Sequence, residues 1–518
     1  MQWTLGKRFV SEDEIIKEQG LFLDYDEIAR KGAMTAEEKN ISKWYGIYSS
    51  RHAGNHMARV VVPGGVLSSS QARRMCKIAE DYAQGKLAIT TRQCIQLHWL
   101  KTPSLADMIR GLAEDSLSTF HGCGDVTRNV TACPLAETCQ FKRFNVQPYV
   151  QETARVLTSM RDLDNLPRKF KITFSGCGAG CAQPYINCIG VVAVERKGTD
   201  GQTEHGFKVV IGGGMGWSPF IGKDLFSFVP PKKIVKVNRA IALLFRDYGD
   251  RRDRTMSRLK FVVYRKGIDE CRRIVLQYLT DEDVSTEDIE AEAFEETGVP
   301  YPDRPLLEEN PVGTDGKVTV RAMIPKGELT HIDFKRFAEL SEIYGNKKVY
   351  LTNRQNIEIH GVKPEKVEAI TADIQAAGFA TEGFFGMRDI VPCVGTTYCP
   401  KAVTETRSLY DTLMPIVSQE KYKDIWDKAI INITGCPNSC SPYRITDIGF
   451  RGMRIREQMG STQAYEMLIG GEHDRLGKKL GEFKTDDCPR VLEKILDTFL
   501  RVRKGDETLS ECIHRMGL

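Results

Sequence analysis

Eight of the fifteen cysteines in this chain fall into two sets with the same internal spacing. Each set has a Cys-x5-Cys pair, a gap of about forty residues and a Cys-x3-Cys pair. The sets are Cys133, Cys139, Cys177 and Cys181, and Cys393, Cys399, Cys436 and Cys440. Structural zinc usually takes ligand pairs separated by roughly two to four residues, so the wider pair is unusual for it. Four thiolates on two loops suit a cubane iron–sulfur cluster, with zinc and buried structural cysteines as the alternatives.

The two cysteine sets belong to a repeat that runs through the chain. The segment "AITTRQCIQLHWL" at 88–100 corresponds to "VYLTNRQNIEIHGV" at 349–362, and "FSGCGAGCAQPYINCIGV" corresponds to "ITGCPNSCSPYRITDIGF". The offset between matching positions falls only from 262 to 258 residues along the whole series. Chance does not produce so long an ordered series, so the chain is a duplicated unit with pseudo-twofold symmetry. We call the copies the first and the second unit, joined by a connector at 246–316.

Each unit needs a mixed set of elements to place its cysteines. The stretch "RVVVPGG" predicts a strand and "SSSQARRMCKIAEDYAQG" predicts a helix. The alternating Thr-Arg-Gln segment predicts a further strand, and a helical stretch at 103–117 follows it. These elements form a βαβ-type α+β half-domain. The cysteines then lie on loops bounded by Gly and Pro, followed by strands at 189–195 and 208–211.

Composition limits the classes of function that remain. Hydrophobic residues make up 41% and charged residues 27%, as in an ordinary globular protein, and the net charge of +4 does not indicate a nucleic-acid partner. No run of about 18 apolar residues predicts a membrane span, and "MQWTLGKRFVSEDEII" does not have the pattern of a signal peptide. An odd number of cysteines without an export signal favours metal or redox work in the cytoplasm over a disulfide framework. The basic segment Lys232–Arg258 suits an acidic partner or is a solvated face.

Several motifs together resemble one family. The segments "TGCPNSC", "CVGTTYC", "TTRQCIQLH", "GDVTRNV", "LPRKFK" and "GGGMG" are similar to those of the sirohaem-dependent sulfite and nitrite reductases, in family order from Tyr45 to about Phe499. The resemblance implies an internally duplicated sulfite/nitrite reductase fold of the α+β class. It has two ferredoxin-like half-domains and two sirohaem/iron–sulfur domains. The expected limits are an N-terminal extension at 1–50, half-domains at 51–118 and 317–382, sirohaem/iron–sulfur domains at 119–245 and 383–518, and the connector at 246–316.

The same resemblance implies roles for individual residues. Cys393, Cys399, Cys436 and Cys440 would hold a [4Fe–4S] cluster, and Cys440 would also bridge to the iron of sirohaem. Four cations, Arg59, Arg128, Lys169 and Lys171, match the residues that line the distal face of the haem. Arg92, Gln96 and His98 match anchors of the sirohaem carboxylates, and Gly212, Gly213 and Gly214 would lie beside the sirohaem. Four cations suit a small oxyanion whose oxygens must be protonated and leave as water.

The resemblance leaves three functions to compare. A second cation in Lys169-Phe170-Lys171 favours sulfite, because plant-type nitrite reductases usually have Asn at that place. The expected reaction is therefore six-electron reduction of sulfite to sulfide. Nitrite reduction and a non-catalytic electron-transfer role are the alternatives. No flavin or nicotinamide site is evident, so the electrons are expected from ferredoxin or a flavoprotein subunit.

Assimilatory members of the family usually lack the cluster cysteines in the first unit. Here the first unit keeps all four cysteines, as dissimilatory sulfite reductase subunits do. A second [4Fe–4S] cluster is expected there, and a second sirohaem bridged by Cys181 is conceivable. Its distal residues would be Arg321, Arg388 and Lys428, but Ile430 replaces the second lysine and Glu358 replaces Gln96. We therefore expect impaired or absent catalysis at this second centre, with relict cysteines as the alternative. Tyr48 and Cys123 match positions that are covalently joined in some members, although a free pair is the simpler expectation.

Overall fold

The computed structural model describes residues 12–198, 200–302, 309–458 and 460–517. Predictions that concern residues 1–11 of the N-terminal extension or residues 303–308 of the connector lie outside the described residues. Among the described residues, none of the helices is long and apolar enough to span a membrane.

The first unit and the connector contain helices and strands in the mixed order that the sequence predicts. The helices are α1 (Glu12–Gln19), α2 (Tyr25–Lys31), α3 (Ala36–Ile41), α4 (Ser69–Tyr82), α5 (Leu105–Ala113), α6 (Gln147–Ser159), α7 (Ile234–Tyr248), α8 (Leu259–Lys266) and α9 (Ile268–Thr280). The strands are β1 (Ile47–Ser49), β2 (His56–Val60), β3 (Val66–Ser68), β4 (Lys86–Ile89), β5 (Ile95–Leu100), β6 (Thr131–Ala132), β7 (Ile172–Ser175), β8 (Ile189–Lys197), β9 (Thr203–Ile211) and β10 (Lys223–Val229).

The second unit repeats this order. Its helices are α10 (His331–Ile343), α11 (Val367–Ala376), α12 (Gly395–Tyr398), α13 (Thr406–Val417), α14 (Cys488–Val502) and α15 (Leu509–Arg515). Its strands are β11 (Val318–Ala322), β12 (Glu328–Thr330), β13 (Lys348–Leu351), β14 (Ile357–Val362), β15 (Val391–Pro392), β16 (Ile431–Thr434), β17 (Ile448–Glu457), β18 (Gly460–Ile469) and β19 (Lys478–Lys484).

Matching helices of the two units begin with the same kind of cap. The Ser68 hydroxyl accepts from the N–H of Gln71 at 3.1 Å, and the Gln71 side chain accepts from the N–H of Ser68. At the start of α10, Thr330 and Asp333 make the same reciprocal pair. Such caps stabilise a helix start by about 1 kcal/mol, so both units fix these helices locally.

The two half-domains exchange strands. One sheet has the order β1-β2-β5-β4-β12 and the other has the order β11-β14-β13-β3. Strand β12 of the second unit pairs antiparallel with β4, and β3 of the first unit pairs antiparallel with β13. One hydrophobic core contains residues of both half-domains, including Leu67, Leu87, Leu329 and Val349. The half-domains are therefore repeats in sequence that share one folded core. The boundaries that the sequence indicates for the six segments stay a prediction.

The cysteine-bearing domains each have their own sheet. The orders β10-β9-β8-β7-β6 and β15-β16-β17-β18-β19 correspond strand for strand under the repeat. In each sheet, two parallel pairs lead into an antiparallel ladder, with β6–β7–β8 matching β15–β16–β17. Separate cores stabilise the two sheets. In both domains the Cys-x3-Cys loop follows the central parallel strand, so it lies at the end of that strand.

Candidate active site

A cavity of about 640 Å³ lies where the first unit meets the Cys-x3-Cys loop of the second unit. Arg92, Lys169 and Lys171 of the first unit line it together with Cys440 of the second unit. The structure thus brings two of the predicted distal cations, one predicted carboxylate anchor and the predicted bridging thiolate to a single cavity.

The two lysines reach this cavity because the residue between them is buried in the core. Phe170 is fully buried, and its ring stacks on Phe245 with 5.5 Å between centroids. Alternate side chains of an extended segment point to opposite sides. Burying Phe170 therefore turns Lys169 and Lys171 away from the core and towards the cavity, just before β7 begins.

The pKa of each lysine is lower than that of an exposed lysine. Burial lowers the pKa of Lys169 to about 7, and the guanidinium of Arg258 lowers it further. Burial also takes the pKa of Lys171 well below its usual range, with Lys169 and Arg92 adding to the effect. An anion that enters the cavity favours the protonated forms, so binding of the anion and uptake of protons are coupled here.

The predicted distal arginines lie beside the cavity rather than among the described residues that line it. Arg59 donates from Nη1 to the carbonyl of Gly122 at 3.1 Å and to Cys123 Sγ at 3.3 Å. Arg128 donates from Nη2 to the carbonyl of Gly124 at 2.6 Å and from Nη1 to that of Gly122 at 3.2 Å. The two guanidinium groups thus share one loop, whose carbonyls fix them in place.

Gln96 and His98 lie on one face of β5 and make different contacts. With its amide oxygen turned towards Arg59, Gln96 accepts from Nη2 of that residue at 2.6 Å. The His98 ring stacks on Tyr398 of the second unit at 3.9 Å, and neither of its nitrogens has a partner within the described part of the chain. Burial lowers the pKa of His98 to about 3, so its ring is neutral. Their role as carboxylate anchors stays a prediction.

Arg92 is held over the cavity by three acceptors. Its Nη1 donates to Asn187 Oδ1 at 2.7 Å, and its Nη2 donates to the carbonyls of Asn129 and Ile172 at 2.7 and 3.0 Å. Its Nε is buried and has no hydrogen-bond partner among the described residues. An unpartnered buried donor on the wall of a cavity is costly unless an acceptor occupies that cavity, so Arg92 fits an anionic ligand.

The predicted glycine segment forms a close turn beside the same cavity. Gly212 has a φ of +87°, and a Cβ at Gly213 would lie 2.2 Å from the carbonyl oxygen of Tyr185. Neither position tolerates a side chain. The residues that follow directly, Met215 to Ser218, line the cavity.

The second-unit cysteines surround one place at the end of β16. The N–H of Gly435 donates to Cys393 Sγ at 3.1 Å. Burial raises the pKa of Cys393 to about 12, and the thiols of Cys440 and Cys436 act on it as well. Burial raises the pKa of Cys436, and its neighbours include Cys440 and Cys399. The four predicted cluster ligands are therefore brought together.

The first-unit cysteines are also brought together. Cys133, Cys139, Cys177 and Cys181 all line one small cavity, and its other walls include Leu135, Ala136 and Phe141. A hydrogen bond with the Cys181 thiol raises the pKa of Cys133 well above its ordinary value, and burial raises it further. Among the described residues, no three His, Cys, Asp or Glu side chains are arranged to bind a single metal ion. Each thiolate of a cubane binds a different iron, so a cluster accepts a wider set of sulfur atoms.

The repeat predicts a pocket that faces the first-unit cysteines, and the cations expected to line it are paired with acidic residues. Arg321 Nε lies 3.1 Å from Glu358 Oε1, and both side chains are about 3% exposed or less. Arg354, which matches Arg92, forms a buried ion pair with Asp389. Lys428 and Arg388 pair with Asp506 and Glu382 at 2.6 and 3.0 Å. The cations of this pocket already have counter-charges, whereas no carboxylate is among the described residues that line the 640 Å³ cavity.

Sequence reasoning missed four basic residues at the cavity. Arg168, Arg254, Arg258 and Lys260 line it, and the last three come from the connector. Burial lowers the pKa of Lys260 to about 8, with Arg258 adding to the effect. The basic segment at 232–258 was the available signal for Arg254 and Arg258, but nothing in its spacing places it at a pocket.

Tyr48 and Cys123 are neighbours beside Arg59. Burial raises the pKa of Tyr48, and the Cys123 thiol raises it further. Arg59 Nη1 lies 3.3 Å from Cys123 Sγ. That the two side chains are a free pair, the simpler of the two expectations, stays a prediction.

Comparison with known proteins gives a consistent result along the chain. The family model described as "Nitrite and sulphite reductase 4Fe-4S domain" matches residues 123–282 and 385–518. The model described as "Nitrite/Sulfite reductase ferredoxin-like half domain" matches residues 49–115 and 312–377. Both matches occur twice, once in each unit.

Curated relatives cover nearly the whole chain. An assimilatory ferredoxin-dependent nitrite reductase of Haloferax mediterranei is 28% identical and aligns over 95% of this chain and 89% of its own length. A sulfite reductase [ferredoxin] of Mycobacterium tuberculosis is 26% identical over 99% of this chain and 96% of its own length. The solved structure of the Mycobacterium tuberculosis NirA protein superposes with a TM-score of 0.88 at 25% identity, covering 99% of this chain and 98% of that one.

Proposed function

We propose that this chain, which belongs to the nitrite and sulphite reductase family, reduces sulfite to sulfide in a six-electron reaction. Its fold is the duplicated reductase fold that the sequence predicts. The observation that carries the choice of sulfite is that Lys169 and Lys171 line one cavity with Cys440. Two lysines offer two charge-assisted contacts to a dianion, whereas a monoanion needs fewer.

The residues around the cavity fit a tetrapyrrole that bears carboxylates and is joined to an iron–sulfur cluster. Arg92 and Arg258 each have a buried Nε without a partner among the described residues, and both line the cavity. Cys440 supplies a thiolate at the same cavity, and Cys393, Cys399 and Cys436 complete a four-cysteine set. When bound, sirohaem and the [4Fe–4S] cluster would supply the iron that binds the anion and the electrons that reduce it.

The two lysines would bind the anion and deliver protons to its oxygens. A lysine whose pKa lies near 7 gives up its proton far more readily than one with an ordinary pKa. Lys169 has such a pKa, and burial also takes the pKa of Lys171 well below its usual range. Arg59 and Arg128 keep fixed charges beside the cavity, because a guanidinium does not lose its proton in proteins.

The first-unit cysteines would hold a second [4Fe–4S] cluster without a second catalytic pocket. The four thiols share one cavity. The facing cations, in contrast, are paired with Glu358, Asp389, Glu382 and Asp506. An anion that enters such a pocket would have to displace Glu358 and Asp389, whose carboxylates are buried, and this is unfavourable. Sulfite would therefore be reduced at one cavity per chain.

Nitrite reduction is the second candidate activity. Several curated relatives, including those of Haloferax mediterranei and rice, are named as ferredoxin-dependent nitrite reductases. Ferredoxin is the electron donor in the relatives' names, and a flavoprotein subunit is the alternative donor. A cytoplasmic location suits the odd number of cysteines, fifteen, better than an oxidising compartment does.

A turnover assay with a matched control tests this function. Protein purified without oxygen should show sirohaem absorption and should reduce sulfite and nitrite when reduced methyl viologen supplies electrons. In Lys169→Met, loss of one charge-assisted contact of about 1.5–3 kcal/mol should lower kcat/KM for sulfite about ten- to a hundredfold. Lys428→Met changes the equivalent lysine of the second unit and should leave turnover unchanged. Equal effects of the two substitutions, or protein without bound sirohaem, would contradict the proposal.

A further inference from the structure

One buried cysteine outside both cluster sets lies directly beside the cavity. Cys188 is fully buried directly before β8. Arg258, which lines the cavity, donates from Nη2 to Cys188 Sγ at 3.1 Å. The backbone N–H of Lys171 also acts on this sulfur. Both four-cysteine sets are complete without Cys188, so its sulfur is not needed as a cluster ligand.

The repeat shows what kind of group belongs at this position. In the second unit the equivalent residue is Asp447, whose Oδ2 accepts from the N–H of Ile430 at 2.8 Å. Ile430 is in turn the equivalent of Lys171. Asp447 Oδ1 accepts from the N–H and the hydroxyl of Ser510 at 2.9 and 2.6 Å. The position therefore accepts several hydrogen bonds, and in the second unit a carboxylate occupies it.

A backbone hydrogen bond recurs at the two positions. The N–H of Gly212 donates to the carbonyl of Cys188 at 3.1 Å, and the N–H of Gly470 donates to that of Asp447 at 3.0 Å. The sulfur thus stands where the carboxylate of the other unit stands. A neutral thiol is a weak acceptor, whereas an anionic sulfur accepts well from a guanidinium.

We propose that Cys188 is a thiolate that acts as the counter-ion of Arg258 and is a positioning residue of the cavity. Its sulfur fixes one nitrogen of the guanidinium and leaves the buried Nε directed to a carboxylate group of the bound tetrapyrrole. The contact between Arg258 Nε and a carboxylate of the tetrapyrrole rests on the proposed function, whereas the charge state of Cys188 does not. The thiol proton is released to solvent when Arg258 docks on the sulfur.

The charges around the sulfur support this assignment. The groups that face it are Arg258 and Lys260 of the connector, Lys171 beside β7, and Arg92 of the loop before β5. Burial raises the pKa of Cys188, but Arg258 and the other donors lower it by more, so the net pKa is below its ordinary value. An anionic sulfur also reduces the repulsion among these cations, because no carboxylate is found among the described residues that line the cavity.

Infrared difference spectra of the full-length protein test the charge state. A cysteine in its thiol form contributes an S–H stretching band, and a thiolate contributes none. At neutral pH, Cys188→Ser should therefore leave the S–H band intensity of the wild type unchanged. Cys271→Ser is the matched control, because burial raises the pKa of that thiol to about 11 and its removal should take away one S–H band. Loss of an S–H band in Cys188→Ser would overturn the proposal.

Release of the cofactor tests the positioning role. Cys188→Ser should release sirohaem about ten- to a hundredfold faster than the wild type in an exchange assay, because the charge-assisted contact that orients Arg258 is lost. Cys188→Asp restores the anion found at the equivalent position and should release sirohaem at nearly the wild-type rate. Equal rates for the Ser and Asp variants would refute the positioning role. If no preparation binds sirohaem, the proposed function fails, while the infrared result still decides the thiolate.

Discussion

The first-unit cysteine set gives the sharpest prediction, because two substitutions should halve the cluster iron without stopping turnover. Cys177→Ser and Cys181→Ser together remove two of the four thiols that line the small cavity. The remaining pair cannot hold a cubane, which takes four cysteines. On that stoichiometry, the wild type should contain about eight cluster irons per chain and the double variant about four.

The structure explains why turnover should survive this change. Cys181 contacts the second unit through its carbonyl, which accepts from Asn353 Nδ2 at 2.7 Å, and a serine keeps that carbonyl. The equivalent bond on the catalytic side, from Thr91 Oγ1 to the carbonyl of Cys440 at 2.7 Å, is untouched. The anion cavity takes its thiolate from Cys440 and nothing from Cys177. Sulfite turnover per sirohaem should therefore stay within about twofold of the wild type, because neither substituted side chain lines the cavity.

The assay combines analysis of iron and acid-labile sulfide with turnover on the same samples. Cys271→Ser serves as the control for losing a buried cysteine, and it should keep all eight irons. Thermal unfolding and gel filtration establish that each variant is folded. Four cluster irons in the wild type would mean that the first-unit cysteines are relicts. Complete loss of sulfite reduction in a folded double variant would mean that electrons reach the catalytic cavity through the first-unit centre.

Three further changes test other parts of the site. Cys440→Ser should lose about four cluster irons and all reduction of both anions; full iron and activity would contradict its assignment. Lys171→Asn should lower kcat/KM for sulfite about ten- to a hundredfold through a lost charge-assisted contact, and that for nitrite less; equal losses would show that this lysine does not set the preference. Glu358→Gln breaks the buried ion pair with Arg321 and should lower the free energy of unfolding in urea by about 3–5 kcal/mol at neutral pH. Burial raises the pKa of Glu358, but His360 and Arg321 lower it by more. The difference between wild type and Glu358→Gln should therefore shrink as the pH falls through the lowered pKa of the folded state, and a difference independent of pH would exclude this ion pair as its source.

Much of the candidate site could be predicted from the sequence, because its residues are short motifs that repeat. The cysteine spacing alone led to both four-thiol sets, and the structure brings each set together. The Lys-x-Lys segment reached the cavity because a buried aromatic residue between two lysines gives them the same direction. Spacing and alternation of this kind depend only on residues that are close together in the chain, so they can be read directly from the sequence.

The remaining features depend on contacts between distant segments. The connector residues at the cavity belong to a basic segment that reads equally well as a solvated face. The neutral second pocket was anticipated only in part, from Ile430 and Glu358. The ion pair between Arg354 and Asp389 could be found only from the structure. The repeat gave no indication of it, because the equivalent of Asp389 in the first unit is an asparagine, Asn129. The exchange of β3 and β12 between half-domains could not be predicted. The hydrophobic pattern of each strand would be the same if it joined the sheet of its own half-domain.

The exchanged strands have a consequence for how the protein is made. On the ribosome, β4 emerges long before its neighbour β12, since Ala88 pairs with Glu328 about 240 residues later. At roughly 5–20 residues per second, synthesis leaves that strand waiting for roughly ten to fifty seconds. Through this interval the nascent sheet presents a row of unpaired N–H and C=O groups, which is a template for wrong partners. Chains released before residue 328 should therefore self-associate through this edge or depend on a chaperone that covers it.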